Sequence, residues 1–309
     1  RVRERDVTER PPRVAILANP SAGRHAPGDL DRLAARLSAA GCAVTRVLGE
    51  RPGDLARAAS TLDVDVVAVA GGDGTLNSVV GALVARPDAR PRLAVIPQGT
   101  ANVMVAEYAL PTRIEAIAAA ILAGRTRPLH LGRATRDGEP PRPFFLATSA
   151  GFDAEVVHRV ERRVKRRFKK LAFVITALHR GLARRAPVEA VVVAPDGVET
   201  RHRLGLAVVA KSSRYGGPFR LTAETAMDRP GLRLVGLRRV GVGSLLAAAV
   251  RLGLGRLEGA ANVVSLPVAR ARLATFGRNE IAVQVDGDPH GVTPVVVEAM
   301  TEALEVVVA

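Results

Sequence analysis

Between Arg13 and about Pro128, short apolar runs alternate with segments whose apolar residues recur at helical spacing. Residues 14–18, 43–48, 64–70 and 93–96 read as strands, and residues 29–40 and 55–60 as helices. Leu76, Val79, Val80 and Leu83 place a further helix directly after the third strand. Strands alternating with helices predict a parallel sheet with helices on both faces, whose ligands sit at the carboxyl ends of the strands. Past Arg127-Pro128 the pattern changes to valine-rich segments bounded by turn residues, at 144–148, 188–194, 204–210, 232–237, 261–266 and 281–285. Asp137-Gly138 and Asp196-Gly197 are hairpin signals, so this half reads as largely antiparallel β. Two helical stretches, 154–181 and 244–257, interrupt it. The second is read as core, with the lining of a ligand's entry route as the alternative. A last strand at 304–308 is expected to return to the first domain.

Composition narrows this picture. Hydrophobic residues make up 48% of the 309 residues, which excludes general disorder, while aromatics are only 3%, so alanine, valine and leucine must build the core. Basic residues outnumber acidic ones 45 to 30, a field that favours nucleotides, acidic membrane surfaces or nucleic acid as partners. Cys42 stands alone, so there is no disulfide framework and a reducing compartment is expected. The charged stretch 1–12 lacks the apolar centre of a signal peptide. No run reaches the ~18 apolar residues of a membrane span.

Four clusters could carry chemistry. Gly71-Gly72-Asp73-Gly74-Thr75-Leu76-Asn77 joins the third strand to its helix. Glycines permit positive φ and remove bulk, so backbone N–H groups and a helix N-terminus can face phosphate oxygens. Asp73 would repel phosphate unless it worked through a metal ion or took a proton. Asn19-Pro20-Ser21-Ala22-Gly23 follows the first strand, and Pro97-Gln98-Gly99-Thr100-Ala101-Asn102 follows the fourth and opens a helix that Thr100 or Asn102 could cap. Three such turns on one sheet edge would converge on one ligand. The fourth cluster, Asp286-Gly287-Asp288, reads either as a hairpin turn or as paired carboxylates that take a proton and hold Mg²⁺.

Together these motifs resemble the diacylglycerol kinase catalytic-domain family, which includes bacterial lipid kinases and sphingosine kinases. Ser149-Ala150-Gly151-Phe152-Asp153-Ala154 and Tyr215-Gly216-Gly217-Pro218 extend the likeness through the second half. The resemblance implies an α/β fold with a Rossmann-like three-layer nucleotide-binding domain over 1–128 and a β-sandwich-rich lipid-substrate domain over 129–303. It further implies ATP contacted by Asn19, Ser21, Gly72, Gly74, Thr75, Asn77 and Thr100. Asp286 is favoured as the base for a lipid hydroxyl, Asp73 and Asp288 as Mg²⁺ ligands, with the roles of Asp73 and Asp286 reversed as the alternative. The implied protein is cytoplasmic and peripherally associated with the inner face of the membrane. The sequence departs from the family pattern at Asp288, where glutamate is usual, and at His130, where an aspartate is common.

Residues 159–170 carry eight basic residues and one acidic, with Val160, Val164 and Phe168 at helical spacing. They read as a solvated helix or as a contact with anionic lipid. Arg24, Lys211 and Arg214 read as surface charges that could also touch phosphate. The rivals are an NAD kinase, which shares the glycine motif but whose Asn-Glu signature is absent here, and a basic nucleic-acid-binding protein, disfavoured by the lack of Trp. An esterase would need Ser149, His290 and Asp228 to converge.

Overall fold

The structure, a computed structural model, describes residues 10–87, 90–151, 153–155, 186–217, 219–275 and 280–309. The basic segment 159–170 and nearly all of the predicted helix 154–181 lie outside them.

The first half alternates β1 (Arg13–Ala18), α1 (Pro27–Ala39), β2 (Ala43–Leu48), α2 (Asp54–Thr61), β3 (Val66–Gly71), α3 (Asp73–Val84) and β4 (Arg92–Pro97). α4 (Val103–Tyr108) and α5 (Ile114–Ala123) follow. The four strands are parallel in the order β2-β1-β3-β4. Their side chains alternate between two cores. Val14, Ile16, Val66 and Ala68 pack under α1 and α5, whereas Ala15, Leu17, Val67 and Val69 pack under α2, α3 and α4. Strands buried on both faces explain why each reads as one unbroken apolar run. The chain reverses direction across the sheet between β1 and β3, and the crevice above such a reversal is where open α/β sheets bind ligands.

The second half supplies β5 (Thr126–Thr135), β6 (Arg142–Phe144), β7 (Ala147–Gly151), β8 (Val188–Val193), β9 (Glu199–Leu204) and β10 (Leu206–Ala210). Then come the two-residue strands β11 (Arg214–Tyr215) and β12 (Phe219–Arg220), β13 (Leu232–Leu237) and α6 (Val242–Gly253). The chain ends with β14 (Val263–Val268), β15 (Arg270–Thr275), β16 (Ala282–Val285), β17 (Asp288–Val292) and β18 (Val295–Val307). One antiparallel sheet runs β14-β13-β10-β7-β16-β17. It faces β18-β15-β8-β9 across a core that includes Ala150, Val188, Val209, Leu234, Leu273 and Val283. This is the β-sandwich.

The second layer of the sandwich is not separate from the first domain. β18 pairs antiparallel with β5 and β15, and its end, at Val306, runs parallel to Leu93 of β4, so one ten-stranded sheet spans both halves. The 204–210 segment breaks into two strands at Gly205, where a Cβ would meet Val240 at 2.8 Å. The reading of 244–257 as core is corrected as well: no residue of α6 is buried.

Candidate active site

Three strand-end turns of the parallel sheet lock together. Asn19 Nδ2 donates to Thr75 Oγ1 at 3.0 Å, and its Oδ1 accepts from Ser21 N at 2.9 Å. The Asn19 amide donates to Ala70 O, and the Arg24 amide to Gln98 O. The first turn is thereby tied to both of the others.

Of the two properties the sequence reading gives these glycines, positive φ and lack of bulk, the structure uses the second. None of Gly71, Gly72 and Gly74 has positive φ; Gly72 sits at φ −100°, ψ −175°. What the site requires is close approach. A Cβ on Gly71 would fall 2.6 Å from Thr75 Cβ, and one on Gly99 would fall 2.5 Å from Gly72 Cα. The two turns therefore pack backbone against backbone. Gly74 faces open space at the start of α3, where first-turn amides have no partner within the helix.

Asp73, the first residue of α3, points at the neighbouring helix: its Oδ1 accepts from Val103 N at 2.8 Å. Burial pushes its carboxyl up, opposed by amide hydrogen bonds from Val103, Asn102 and Met104. Asn102, at the N-cap position of α4, makes no capping hydrogen bond with its side chain. Asn102 sits at φ 46° and exchanges hydrogen bonds with Gly99 N and O, both at 3.0 Å. Thr100 and Ser21 are exposed, and Asn77 is buried with its Nδ2 lacking a hydrogen-bond partner.

On the opposite side Asp286 and Gly287 are the two central residues of the β16–β17 hairpin, with φ 50° and 82°. Asp-Gly suits such a turn. The turn aims the Asp286 carboxylate at three successive amides: Oδ2 accepts from Phe145 N at 3.0 Å, and Oδ1 from Leu146 N and Ala147 N, both at 2.9 Å. Burial outweighs these amides and raises its pKa to about 7. Hairpin and carboxylate are one device.

Asp73 and Asp286 line the same cavity of about 250 Å³, where Val103 and Ala101 of the first half meet Leu146, Arg214 and Tyr215 of the second. Its wall holds a polar network that the sequence reading did not assign. Ser149 Oγ donates to Asp153, Gln284 Nε2 reaches Ser149 Oγ at 2.8 Å and Asp153 Oδ2 at 3.2 Å, and the Tyr215 hydroxyl hydrogen-bonds both Asp153 and Ser149. Burial pushes the Asp153 carboxyl up and the Tyr215 phenol well up. One available signal was Gln284, a polar residue in an otherwise apolar strand.

Other residues are placed elsewhere. Asp288 does not line the cavity; its half-exposed carboxylate pairs with Arg142 at 2.9 Å. Lys211 is fully buried rather than a surface charge, donating to the carbonyls of Arg229 and Gly231, and burial lowers its pKa to about 8. His130 donates its amide to Met227 O at 2.8 Å, away from the cavity lining. The esterase residues do not converge: Ser149 bonds Asp153, Asp228 pairs with Arg127, and His290 lies 3.9 Å from Glu139. Glu107 of α4, unforeseen from sequence, clasps the second half, accepting from Ser212 Oγ at 2.5 Å, Ser213 N at 3.0 Å and Met227 N at 2.8 Å. Among the described residues no three His, Cys, Asp or Glu side chains gather as a metal cluster.

Two family models match the chain, one in each half. Residues 13–134 match the diacylglycerol kinase catalytic domain, and residues 147–308 match the YegS C-terminal NAD kinase beta sandwich-like domain. A probable lipid kinase YegS-like of Stenotrophomonas maltophilia (strain K279a) is 30% identical over 235 residues, 73% of each chain. The diacylglycerol kinase of Bacillus subtilis (strain 168) is 24% identical over 91% of each. A crystal structure of a diacylglycerol kinase from Bacillus anthracis (strain Sterne) superposes with a TM-score of 0.73 at 19% identity, covering 98% of each chain, a likeness of fold.

Proposed function

The chain belongs to the diacylglycerol kinase catalytic-domain family, with a YegS-type β-sandwich as its second half, and from that premise we propose that it is an ATP- and Mg²⁺-dependent kinase of a lipid hydroxyl, with diacylglycerol the first acceptor to test. The observation that carries this reading is the single cavity in which Asp73, beside the glycine turn, faces Asp286 from the other half of the chain.

The residues fit a nucleotide. Open space at Gly74, the start of α3 and the crevice between β1 and β3 suit phosphates. Gly72, Gly74 and Thr75 would meet them from the middle turn, Asn19 and Ser21 from the first, Thr100 from the third, and Asn77 has an amide donor to spare. Asp73 is the carboxylate that would hold Mg²⁺, most of whose ligands would then be phosphate and water oxygens, as is usual for this ion. When bound, the ion neutralises charge on the transferred phosphoryl group. Asp288 is assigned to Arg142 rather than to the metal.

Asp286 acts as the base. It takes the proton of the lipid hydroxyl as that oxygen bonds to the γ-phosphorus and the bond to the bridging oxygen breaks, leaving ADP. A carboxylate poised near neutrality suits this work. Two residues keep the halves aligned: Asp73 holds α4 by its first amides, and Glu107 at the other end of α4 holds the second half. The test is to incubate the full chain with radiolabelled ATP and a total lipid extract and to identify the product by mass spectrometry. A phosphorylated lipid, lost in Asp286→Asn and Asp73→Asn, is expected. Full activity in both variants would overturn the site, and phosphorylated NAD without lipid product would overturn the acceptor class.

A further inference from the structure

Apart from Ser244 and Arg251, α6 carries only apolar residues and glycine, and it buries none of them. Its inner side, at Ala248 and Leu252, rests on the cluster formed by Ala147, Val208, Ala210, Leu221, Val235 and Leu257. Its outer side carries Leu246 and Val250, and Leu254 follows at the same four-residue spacing; they are 49%, 62% and 66% exposed. Such a stripe is one surface of a helix, and in water it is unfavourable. Phe219, also among the exposed large hydrophobics at 40%, lies on β12, the strand set against α6. The helix is held by Ser244, whose Oγ accepts from Gly241 N at 2.8 Å and donates to Gly241 O at 2.9 Å.

Along α6 and its flanks the charge has one sign up to Glu258, which is partly buried and bonds Thr222, Arg233 and Ser265. Residues 238–257 contain Arg238, Arg239, Arg251 and Arg256 and no acid, and all four arginines are exposed. Arg220 extends the set next to Phe219. A second copy of the chain would press like charges together across a two-fold contact, whereas anionic headgroups complement them and acyl chains cover the stripe. The surface also continues into the cavity: β11, the hairpin partner of β12, carries Arg214 and Tyr215, both of which line it.

We propose that the outer face of α6, with Phe219 and the flanking arginines, is the surface by which this protein lies on an anionic lipid bilayer. The stripe enters the headgroup boundary and the arginines remain at phosphate level. The role rests on the lipid-kinase reading, since it brings the cavity mouth to the acceptor.

The test reads binding and not catalysis. The full chain is sedimented with vesicles of equal phosphatidylglycerol and phosphatidylcholine, and with phosphatidylcholine alone. Wild type should bind the anionic vesicles. Changing Leu246, Val250 and Leu254 together to Ser should weaken binding on the order of a hundredfold, and Arg251→Glu with Arg256→Glu by tenfold or more. Because the chain has no Trp, Val250→Trp gives a single reporter that keeps the site apolar and reports binding even if the triple variant misfolds. Its emission should shift to the blue on anionic vesicles and be quenched by brominated acyl chains. Unquenched emission on vesicles that do bind the protein would overturn the proposal. So would triple-variant binding equal to wild type, or a wild-type dimer that the triple variant dissociates. If the reporter is quenched while no lipid is phosphorylated, the docking surface stands and the kinase reading falls.

Discussion

The turn that holds Asp73 and the turn that holds Asp286 solve one problem by opposite backbone means. At Asp73 the glycines have ordinary φ, and the constraint is the contact between Gly72 and Gly99. At Asp286 the constraint is conformational, two consecutive residues at positive φ in a two-residue hairpin with open space around Gly287. Each carboxylate is then fixed by amides of another segment, Asp73 by the start of α4 and Asp286 by Phe145, Leu146 and Ala147. Both are pushed up by burial, which carries Asp286 to about 7. The lesson is that an acid can be wrapped in amide donors and still be poised to take a proton, provided burial wins.

The sharpest break of this comparison is chemical. Asp286→Asn should lower kcat by roughly 10³-fold, with a smaller change in the KM for ATP, because it removes proton acceptance. Asp73→Asn can still accept the Val103 amide, so its loss should appear first as a higher Mg²⁺ requirement, read by metal titration of the rate. Next in size is pH. With Asp286 as the base, kcat/KM should fall about tenfold per pH unit below about 7 and level off above it. Stability runs the other way. A carboxyl raised from ~3.9 in the unfolded chain favours the folded state fully below that value, and this contribution is lost as pH rises to about 7. A pH–rate profile without this limb would move the base elsewhere.

How far the sequence reveals these features depends on whether the determining contact is local. β1 to β4, α1 and α2 fall within about two residues of their predicted bounds, because strands buried on both faces are continuous apolar runs, and α3 contains the four positions at helical spacing that announced it. β9, Glu-Thr-Arg-His-Arg-Leu, was implied by the Asp196-Gly197 hairpin signal but given no bounds, since among the described residues it is an edge strand paired with β8 and three of its six residues are exposed. α6 was legible as a helix, but periodicity does not say what covers it, and the expected core position proved wrong. Asp73 and Asp286 were legible as candidates because a glycine turn and an Asp-Gly turn are local signals. The partners that decide their chemistry were not: the amides on Asp286 lie about 140 residues away, and Glu107 meets Ser212 and Ser213 across about 105.

A smaller effect separates the two kinds of glycine. Gly99→Ala would drive a Cβ to 2.5 Å from Gly72 Cα and 2.6 Å from Asn102 Oδ1, and backbone cannot swing aside. A cost of about 1–3 kcal/mol follows, or a fall in Tm of roughly 2–10 °C by calorimetry. Gly74→Ala meets nothing within 4 Å, so Tm should stay within about 2 °C while ATP affinity falls. Equal Tm losses in the two variants would remove the close approach as the reason for these glycines.

The smallest expected effect falls on Asp288, two residues from Asp286 yet outside the cavity. Its carboxylate is 51% exposed and its partner Arg142 is 31% exposed, so the pair is solvent-screened and adds little to stability, below about 1 kcal/mol. Asp288→Asn should therefore change kcat less than about twofold and leave the Mg²⁺ requirement where it was. The glutamate usual in the family at this place gives an equally direct comparison. Asp288→Glu adds one methylene on an exposed strand end and should also be silent, because neither length brings the carboxylate into the cavity that Asp286 shares with Asp73. A shifted Mg²⁺ requirement in either variant would place Asp288 back in the metal shell and make the hairpin, not Asp286 alone, the catalytic unit.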